Sequence, residues 1–121
     1  MKTIFVVDDT RSNLLMAEDV LSEHYEVITL ISAVTMFELL EDLIPDLILL
    51  DIMMPDMDGI AALKQLKSDK RYTGIPIIFL TGKNDEEIET LSFEMGVADF
   101  ILKPFSGPVL LERIKSVLHN V

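Results

Sequence analysis

Polar side chains follow four of the apolar runs in this chain. Asp8 and Asp9 come directly after one run, and Asp51, Thr81 and Lys103 each follow another. Two like charges about 4 Å apart repel by roughly 4 kcal/mol at an effective dielectric constant near 20, so converging carboxylates need compensation. A divalent cation supplies it, and Mg²⁺, with Mn²⁺ as the alternative, suits a site of carboxylates and a phosphate. These residue types therefore predict metal-assisted chemistry at phosphorus.

Asp51 is the candidate nucleophile of that chemistry. A carboxylate can attack phosphorus and form an acyl phosphate when a metal and an ammonium group neutralise the transferring oxygens. Asp51 ends a continuously apolar run, which is typical of a central strand, and Asp8 and Asp9 are expected on the neighbouring strand to hold the cation. We expect Lys103 to bind one phosphoryl oxygen and Thr81 to donate its hydroxyl to another.

The composition argues against several other functions. The chain has no cysteine and two histidines, His24 and His119, which are expected at the surface, so a zinc-type site has no ligand set. With 21 acidic and 10 basic residues, the formal charge of -11 disfavours direct binding to nucleic acid or to a membrane. Neither a secretory segment nor an apolar stretch of spanning length is present, which favours a cytoplasmic location.

The elements that must position these side chains alternate along one predicted domain, residues 1–121. Strands are predicted at residues 3–7, 25–30, 46–50, 75–80 and 98–102, with helical spacing of apolar residues between them. Ser106 is predicted to cap the last helix, with Pro108 in its first turn, and Asp85 to cap the helix that carries Glu86 and Glu87. Such alternation predicts an α/β fold, a doubly wound parallel sheet with helices on both faces. Ligands of such sheets bind beyond the carboxyl ends of the strands, where all the singled-out side chains are expected.

Taken together, the motifs resemble the receiver domain of two-component response regulators. They are Asp8-Asp9, the segment 51–59 (Asp-Ile-Met-Met-Pro-Asp-Met-Asp-Gly), Thr81 and Lys103-Pro104-Phe105, and the resemblance covers essentially the whole chain. It implies the flavodoxin-like receiver fold, five parallel strands in the order 2-1-3-4-5 with five helices. It also implies a signalling module rather than an enzyme, which assists its own phosphorylation and dephosphorylation.

Roles for individual residues follow from the resemblance. It implies that Asp51 is the phosphoacceptor, that Asp8 and Asp9 bind Mg²⁺ directly or through water, and that the backbone carbonyl of Met53 completes the protein ligands. Thr81 and Lys103 would contact the phosphoryl group.

The resemblance further implies a switch and partners. Thr81 and the aromatic residue Phe100 would form the switch, and the Lys103–Pro104 peptide bond would be cis. The donor would be a sensor histidine kinase or phosphotransfer protein, or a small acyl phosphate. Phosphorylation would change the face formed by the fourth helix, fifth strand and fifth helix. That face would act on an output domain or protein, and a dimer through the same face is a further option.

Some positions depart from the family pattern. Phe100 lacks the hydroxyl of the commoner tyrosine, Val97 replaces a frequent alanine, and residues 32–35 lack the glycine often found after the second strand. Met53 and Lys83 flank the expected acyl phosphate, and Met53 cannot orient water as an amide or carboxylate could. We therefore expect slow to intermediate self-dephosphorylation.

Two other functions compete with the receiver interpretation. A Mg²⁺-dependent aspartyl phosphatase would need substrate-binding insertions and a second carboxylate two residues after Asp51, where Met53 stands. A degenerate receiver that binds partners without phosphorylation would not need the complete set of site residues. Each motif by itself could be ordinary turn chemistry, and their joint occurrence at strand ends favours the phosphoacceptor.

Overall fold

The computed structural model describes residues 1–82 and 86–119, in which five strands alternate with five helices. Lys83 and the predicted cap Asp85 lie outside the described residues. The strands are β1 (Thr3–Val7), β2 (Glu26–Leu30), β3 (Leu47–Asp51), β4 (Ile77–Thr81) and β5 (Asp99–Leu102). The helices are α1 (Arg11–Leu21), α2 (Ala33–Leu40), α3 (Gly59–Ser68), α4 (Glu86–Glu94) and α5 (Gly107–His119).

All strand pairs are parallel, and the strand order is β2-β1-β3-β4-β5. The predicted fold class and strand order are therefore confirmed. The order reverses between β1 and β3, because β2 pairs with the other side of β1. That reversal opens a crevice at the carboxyl ends of β1 and β3, where such folds bind ligands.

The sheet separates two apolar cores, which explains why its strands read as continuous apolar runs. Along β1, Phe5 and Val7 face the core covered by α2 and α3, with α4 packed at its margin. Ile4 and Val6 face the core covered by α1 and α5. Both faces of the central strands are thus buried. In the described part of the chain, no helix is long and apolar enough to cross a membrane.

Two predicted site residues belong to strands rather than following them. Asp51 pairs in register with Leu80 at the end of β3, and Thr81 pairs with Leu102 at the end of β4. The strand ends were predicted one residue early because polar residues were assigned to the loops. The ladder of the sheet consequently fixes the backbone that carries both side chains.

The predicted strand starts were also early. Asp46 instead accepts a hydrogen bond from the backbone N–H of Thr3 through its side chain (2.7 Å), so it ends the connection before β3. Ile75 donates its N–H to the carbonyl of Tyr72 in a turn (3.0 Å). A local turn bond therefore takes the place of the ladder at Ile75, whereas Asp46 is joined to Thr3 of β1 through its side chain and through its own N–H (2.8 Å to the Thr3 carbonyl).

Side-chain caps fix the entry of the helices near the crevice. The backbone N–H of Val109 donates to Ser106 Oγ (3.2 Å), which confirms the predicted cap of α5. Asp58 accepts from the N–H of Ala61 (2.8 Å) at the start of α3, and Ser32 accepts from the N–H of Thr35 (3.1 Å) at the start of α2. Such caps satisfy donors that have no intrahelical partner.

Candidate functional site

Three carboxylates converge at the carboxyl edge of the sheet. Asp8, Asp9 and Asp51 each offer an oxygen, and these oxygens lie within 4.8 Å of one another. Asp8 and Asp51 are buried, with 0% and 3% of their surfaces exposed, whereas Asp9 is exposed. This oxygen-only set, open to solvent on the Asp9 side, fits a hard divalent cation that keeps several waters.

Lys103 brings its ammonium group between the two buried carboxylates. Its Nζ lies 2.8 Å from Asp8 Oδ2 and 3.2 Å from Asp51 Oδ1. Burial works to lower the pKa of Lys103, but hydrogen bonds and attraction from Asp8 and Asp51 outweigh it and raise that pKa. Lys103 therefore stays charged, and among the residues that the structure describes its one positive charge faces three carboxyl groups.

The pKa of Asp51 shows that Lys103 does not fully offset the burial of this carboxylate and its repulsion by Asp8. Burial and then repulsion by Asp8 raise that pKa to about 6, against the opposing effects of Lys103 and the N–H of Met53. The ordinary value is 3.8. A cation at the cluster would relieve both causes, because it solvates the carboxylate and screens Asp8.

The loop after Asp51 is held by backbone contacts. The N–H of Met53 donates to Asp51 Oδ1 (3.3 Å), and the N–H of Gly59 donates to the carbonyl of Ile52 (2.7 Å). A Cβ added to Gly59 would lie 2.7 Å from Ile52 Cα and 2.8 Å from the carbonyl oxygen of Asp51. Only glycine fits there, so the start of α3 packs directly against the backbone that carries Asp51.

Asp56 attaches the same loop to a neighbouring helix. Its Oδ2 accepts a hydrogen bond from the N–H of Val34 in the first turn of α2 (3.2 Å). The sequence placed this residue in the segment 51–59 but indicated no partner for it. Together with Asp58 at the start of α3, Asp56 fixes both sides of the segment whose Met53 carbonyl is expected to face the cation.

The two predicted switch residues lie on adjacent strands. Thr81 is buried at the end of β4, and its carbonyl accepts a hydrogen bond from the N–H of Lys103 (2.7 Å). Phe100 lies on β5, and its ring is buried in the core beneath α2, α3 and α4, with 8% of its surface exposed. The Lys103–Pro104 bond is cis, the isomer that the resemblance implies.

Asn13 is a site residue that the sequence analysis missed. Its Nδ2 lies 3.2 Å from Asp8 Oδ2, while the N–H of Thr10 donates to Asp8 Oδ1 (2.9 Å). The available signal was its position in the first turn of α1, directly after the acidic pair. Without the fold, that position reads equally well as an ordinary helix surface.

The fold and the site define a class of doubly wound α/β domain with an acidic crevice at the carboxyl edge of its sheet. The family model described as the response regulator receiver domain matches residues 4–115. A response regulator receiver domain protein from Methanospirillum hungatei superimposes with a TM-score of 0.90 and 31% identity, over 99% of this chain and 95% of that one. The chain belongs to the response regulator receiver domain family, whose members are phosphoacceptors of two-component systems.

Proteins with different named functions contain a segment similar to this chain. The chain is 39% identical over 98% of its length to a probable cyclic di-GMP phosphodiesterase of Vibrio cholerae, of which it covers 27%. It is 38% identical over 98% of its length to the phosphate regulon regulator PhoB of Pseudomonas aeruginosa, of which it covers 52%. Chemotaxis protein CheY4 of V. cholerae matches with a TM-score of 0.91 and 28% identity, over 98% of this chain and 99% of that one. The chain thus spans about a quarter to a half of these two curated relatives.

Proposed function

We propose that Asp51 accepts a phosphoryl group in a Mg²⁺-dependent transfer. The observation that carries this proposal is the convergence of three carboxylates, two of them buried, with the ammonium of Lys103. Asp8, Asp9, Asp51 and the carbonyl of Met53 would hold the cation. When bound, Mg²⁺ would neutralise charge on the transferring phosphoryl oxygens.

Three side chains of the chain are proposed to carry out the other parts of the phosphoryl transfer. An oxygen of Asp51 attacks phosphorus while the bond from phosphorus to the leaving group breaks. A leaving imidazole nitrogen takes up a proton, whereas a leaving carboxylate departs as the anion. Lys103 moves from the carboxylates towards a phosphoryl oxygen, and the Thr81 hydroxyl donates to another. The domain is proposed to act as a phosphoacceptor that assists its own modification, not as an enzyme on other substrates.

The proposed donor is a phosphohistidine of a sensor kinase or a phosphotransfer protein. One relative, 37% identical over 95% of this chain, is hybrid signal transduction histidine kinase D of Dictyostelium discoideum. Small acyl phosphates would substitute for the protein donor. The encounter is proposed to occur in the cytoplasm, where such kinases present their phosphorylated domains.

Phosphorylation is proposed to act on the face formed by α4, β5 and α5. A groove of about 420 Å³ opens there beside Phe100, and the exposed side chains of Leu102 and Val109 flank it. The core already holds the ring of Phe100 in a buried position, which supports a switched state with the ring turned inward. Drawing Thr81 towards the phosphoryl group would increase the population of that inward state. An output domain, an output protein or a second copy would read the change on this face.

Intact-mass spectrometry after incubation with acetyl phosphate tests the proposed function. The wild type with Mg²⁺ should gain one phosphoryl group, and neither Asp51→Asn nor the wild type in a chelator should gain any. Asp56→Asn is the matched control, because it changes a nearby carboxylate outside the metal cluster and should still be modified. Failure of a folded, Mg²⁺-binding wild type to gain mass would favour a binding module that works without phosphorylation.

The switch has its own test in Thr81→Ala. We expect this variant to be phosphorylated while the phosphorylation-linked chemical-shift changes of α4, β5 and α5 are lost, because the hydroxyl that couples Asp51 to Phe100 is absent. The wild type and Ser92→Ala, which alters a buried hydroxyl bonded within α4 (2.6 Å to the carbonyl of Ile88), serve as comparisons. Retention of the full changes in Thr81→Ala would exclude the proposed coupling.

A further inference from the structure

We propose that Asn13 is a positioning residue that keeps the Asp8 carboxylate directed at the cation when Lys103 leaves it for the phosphoryl group. This inference rests on the proposed function. Asn13 lies in the first turn of α1 and is half-buried, and its amide Nδ2 donates to Asp8 Oδ2 at 3.2 Å. The amide nitrogen must face Asp8, because an ionised carboxylate only accepts hydrogen bonds.

Asp8 requires fixed donors because its carboxylate is fully buried. Asp8 Oδ1 accepts the N–H of Thr10 (2.9 Å), and Oδ2 is shared by Asn13 and Lys103. A buried anion that loses its hydrogen-bond donors is strongly disfavoured or changes its orientation. The state of Oδ2 therefore decides whether Asp8 keeps the geometry that a cation needs.

The two donors to Oδ2 differ in how firmly they are held. Lys103 reaches Asp8 and Asp51 at once through a flexible four-carbon stem, and phosphoryl transfer requires its ammonium elsewhere. Asn13 has a short side chain on a helix whose next turns pack Leu14 and Ala17 into the core. Asn13 is consequently the donor that stays when Lys103 moves.

This division predicts a specific dependence between the two residues. With Lys103 in place, loss of the Asn13 amide leaves Oδ2 one donor among residues 1–82 and 86–119. With Lys103 absent or drawn away, the same loss leaves it no donor in that part of the chain, and Asp8 can rotate away from the cation. Removing Asn13 should therefore weaken cation binding more in a Lys103→Met background than in the wild type.

Mg²⁺ titrations followed by NMR, with Mn²⁺ paramagnetic resonance as a second probe, test the inference without any phosphoryl donor. The variants are Asn13→Leu, which keeps the volume and removes the donor, and Asn13→Ala in case Asn13→Leu does not fold. Ser12→Ala is the matched control on the exposed side of the same helical turn. We expect Mg²⁺ affinity to fall about tenfold in Lys103→Met with Asn13→Leu relative to Lys103→Met alone, by less in the wild-type background, and not at all in Ser12→Ala.

The outcomes separate this inference from the proposed function. If the wild type binds Mg²⁺ and Asp8→Asn does not, while Asn13→Leu lowers the melting temperature without changing affinity in either background, Asn13 has a structural role only and the inference is wrong. If the wild type itself does not bind Mg²⁺, the metal site of the proposed function is wrong as well. An affinity loss that is equal in both backgrounds would overturn the proposed division between Asn13 and Lys103.

Discussion

The two edges of the sheet carry charged clusters of opposite character. At the amino edge, after α2 and before β4, Arg71 lies 3.0 Å from Glu41 and 2.9 Å from Asp69, and its guanidinium stacks on the ring of Tyr72 at 4.8 Å. This cluster is largely exposed, with 58% of the Arg71 side chain accessible. At the carboxyl edge, Lys103 faces three carboxylates, two of them buried.

The carboxyl pKa values shift in opposite directions at the two edges. Hydrogen bonds from Tyr72 and then Arg71 lower the pKa of Glu41, and hydrogen bonds from Arg71 lower that of Asp69. At the carboxyl edge, burial and Asp8 raise the pKa of Asp51 to about 6. The amino-edge charges are paired within the chain, whereas the carboxyl-edge charges are proposed to take a cation from outside. An acidic cluster that the fold leaves uncompensated is thus a better indicator of function than acidity by itself.

Replacing the basic side chain of each cluster should give the largest contrast in stability. In metal-free buffer, Lys103→Met should lower the free energy of unfolding by about 2–4 kcal/mol, because Asp8 and Asp51 remain buried without a countercharge. Arg71→Met should have a much smaller effect, since solvent screens an exposed pair. Urea unfolding in a chelator measures both, and equal losses would show that the edges do not differ as described.

Removing a carboxylate should change stability in opposite directions at the two edges. In metal-free buffer, Asp51→Asn should raise the free energy of unfolding by about 1–3 kcal/mol, because a pKa of about 6 means that the native site disfavours the charged form. Asp69→Asn should lower it, because Arg71 loses a partner. Destabilisation by Asp51→Asn in the same urea experiment would mean that Lys103 already compensates the cluster.

The smallest contrast is expected in Mg²⁺ affinity, when an aspartate that accepts a backbone N–H is removed at one edge or at the other. Asp56→Ala loses a hydrogen bond to the Val34 N–H and loosens the loop of Met53, so Mg²⁺ affinity should fall a few-fold. Asp46→Ala is the matched variant at the amino edge, since Asp46 accepts the Thr3 N–H in the same way (2.7 Å). Each should cost about 0.5–1.5 kcal/mol of stability. Calorimetric titration that found the same Mg²⁺ affinity in both variants would contradict the role assigned to Asp56.

Much of this molecule could be predicted from residue patterns. The apolar runs and their polar ends were enough for the α/β class, for the strand positions within two residues and for the edge at which Asp8 and Asp51 meet. The family resemblance added the strand order and the cis bond before Pro104. Both kinds of signal lie in short contiguous segments.

The contacts that hold the site could not be predicted in this way. The bond from Asn13 to Asp8 and that from Asp56 to the Val34 N–H join different elements, and nothing in an isolated Asn or Asp indicates its partner. The closeness of Gly59 to Ile52 likewise depends on how α3 packs against the end of β3. Lys83, expected beside the acyl phosphate, lies outside the described residues, and its role stays a prediction.

Thermal unfolding with and without Mg²⁺ tests most directly the claim that the carboxyl edge is built for an external cation. At ten times the dissociation constant, Mg²⁺ should stabilise the wild type by about 1.4 kcal/mol, a rise of about 5 °C in melting temperature for a domain of this size. Asp8→Asn and Asp51→Asn should lose most of that rise, whereas Asp69→Asn should keep it. An equal rise in all four proteins, or none in the wild type, would contradict the account.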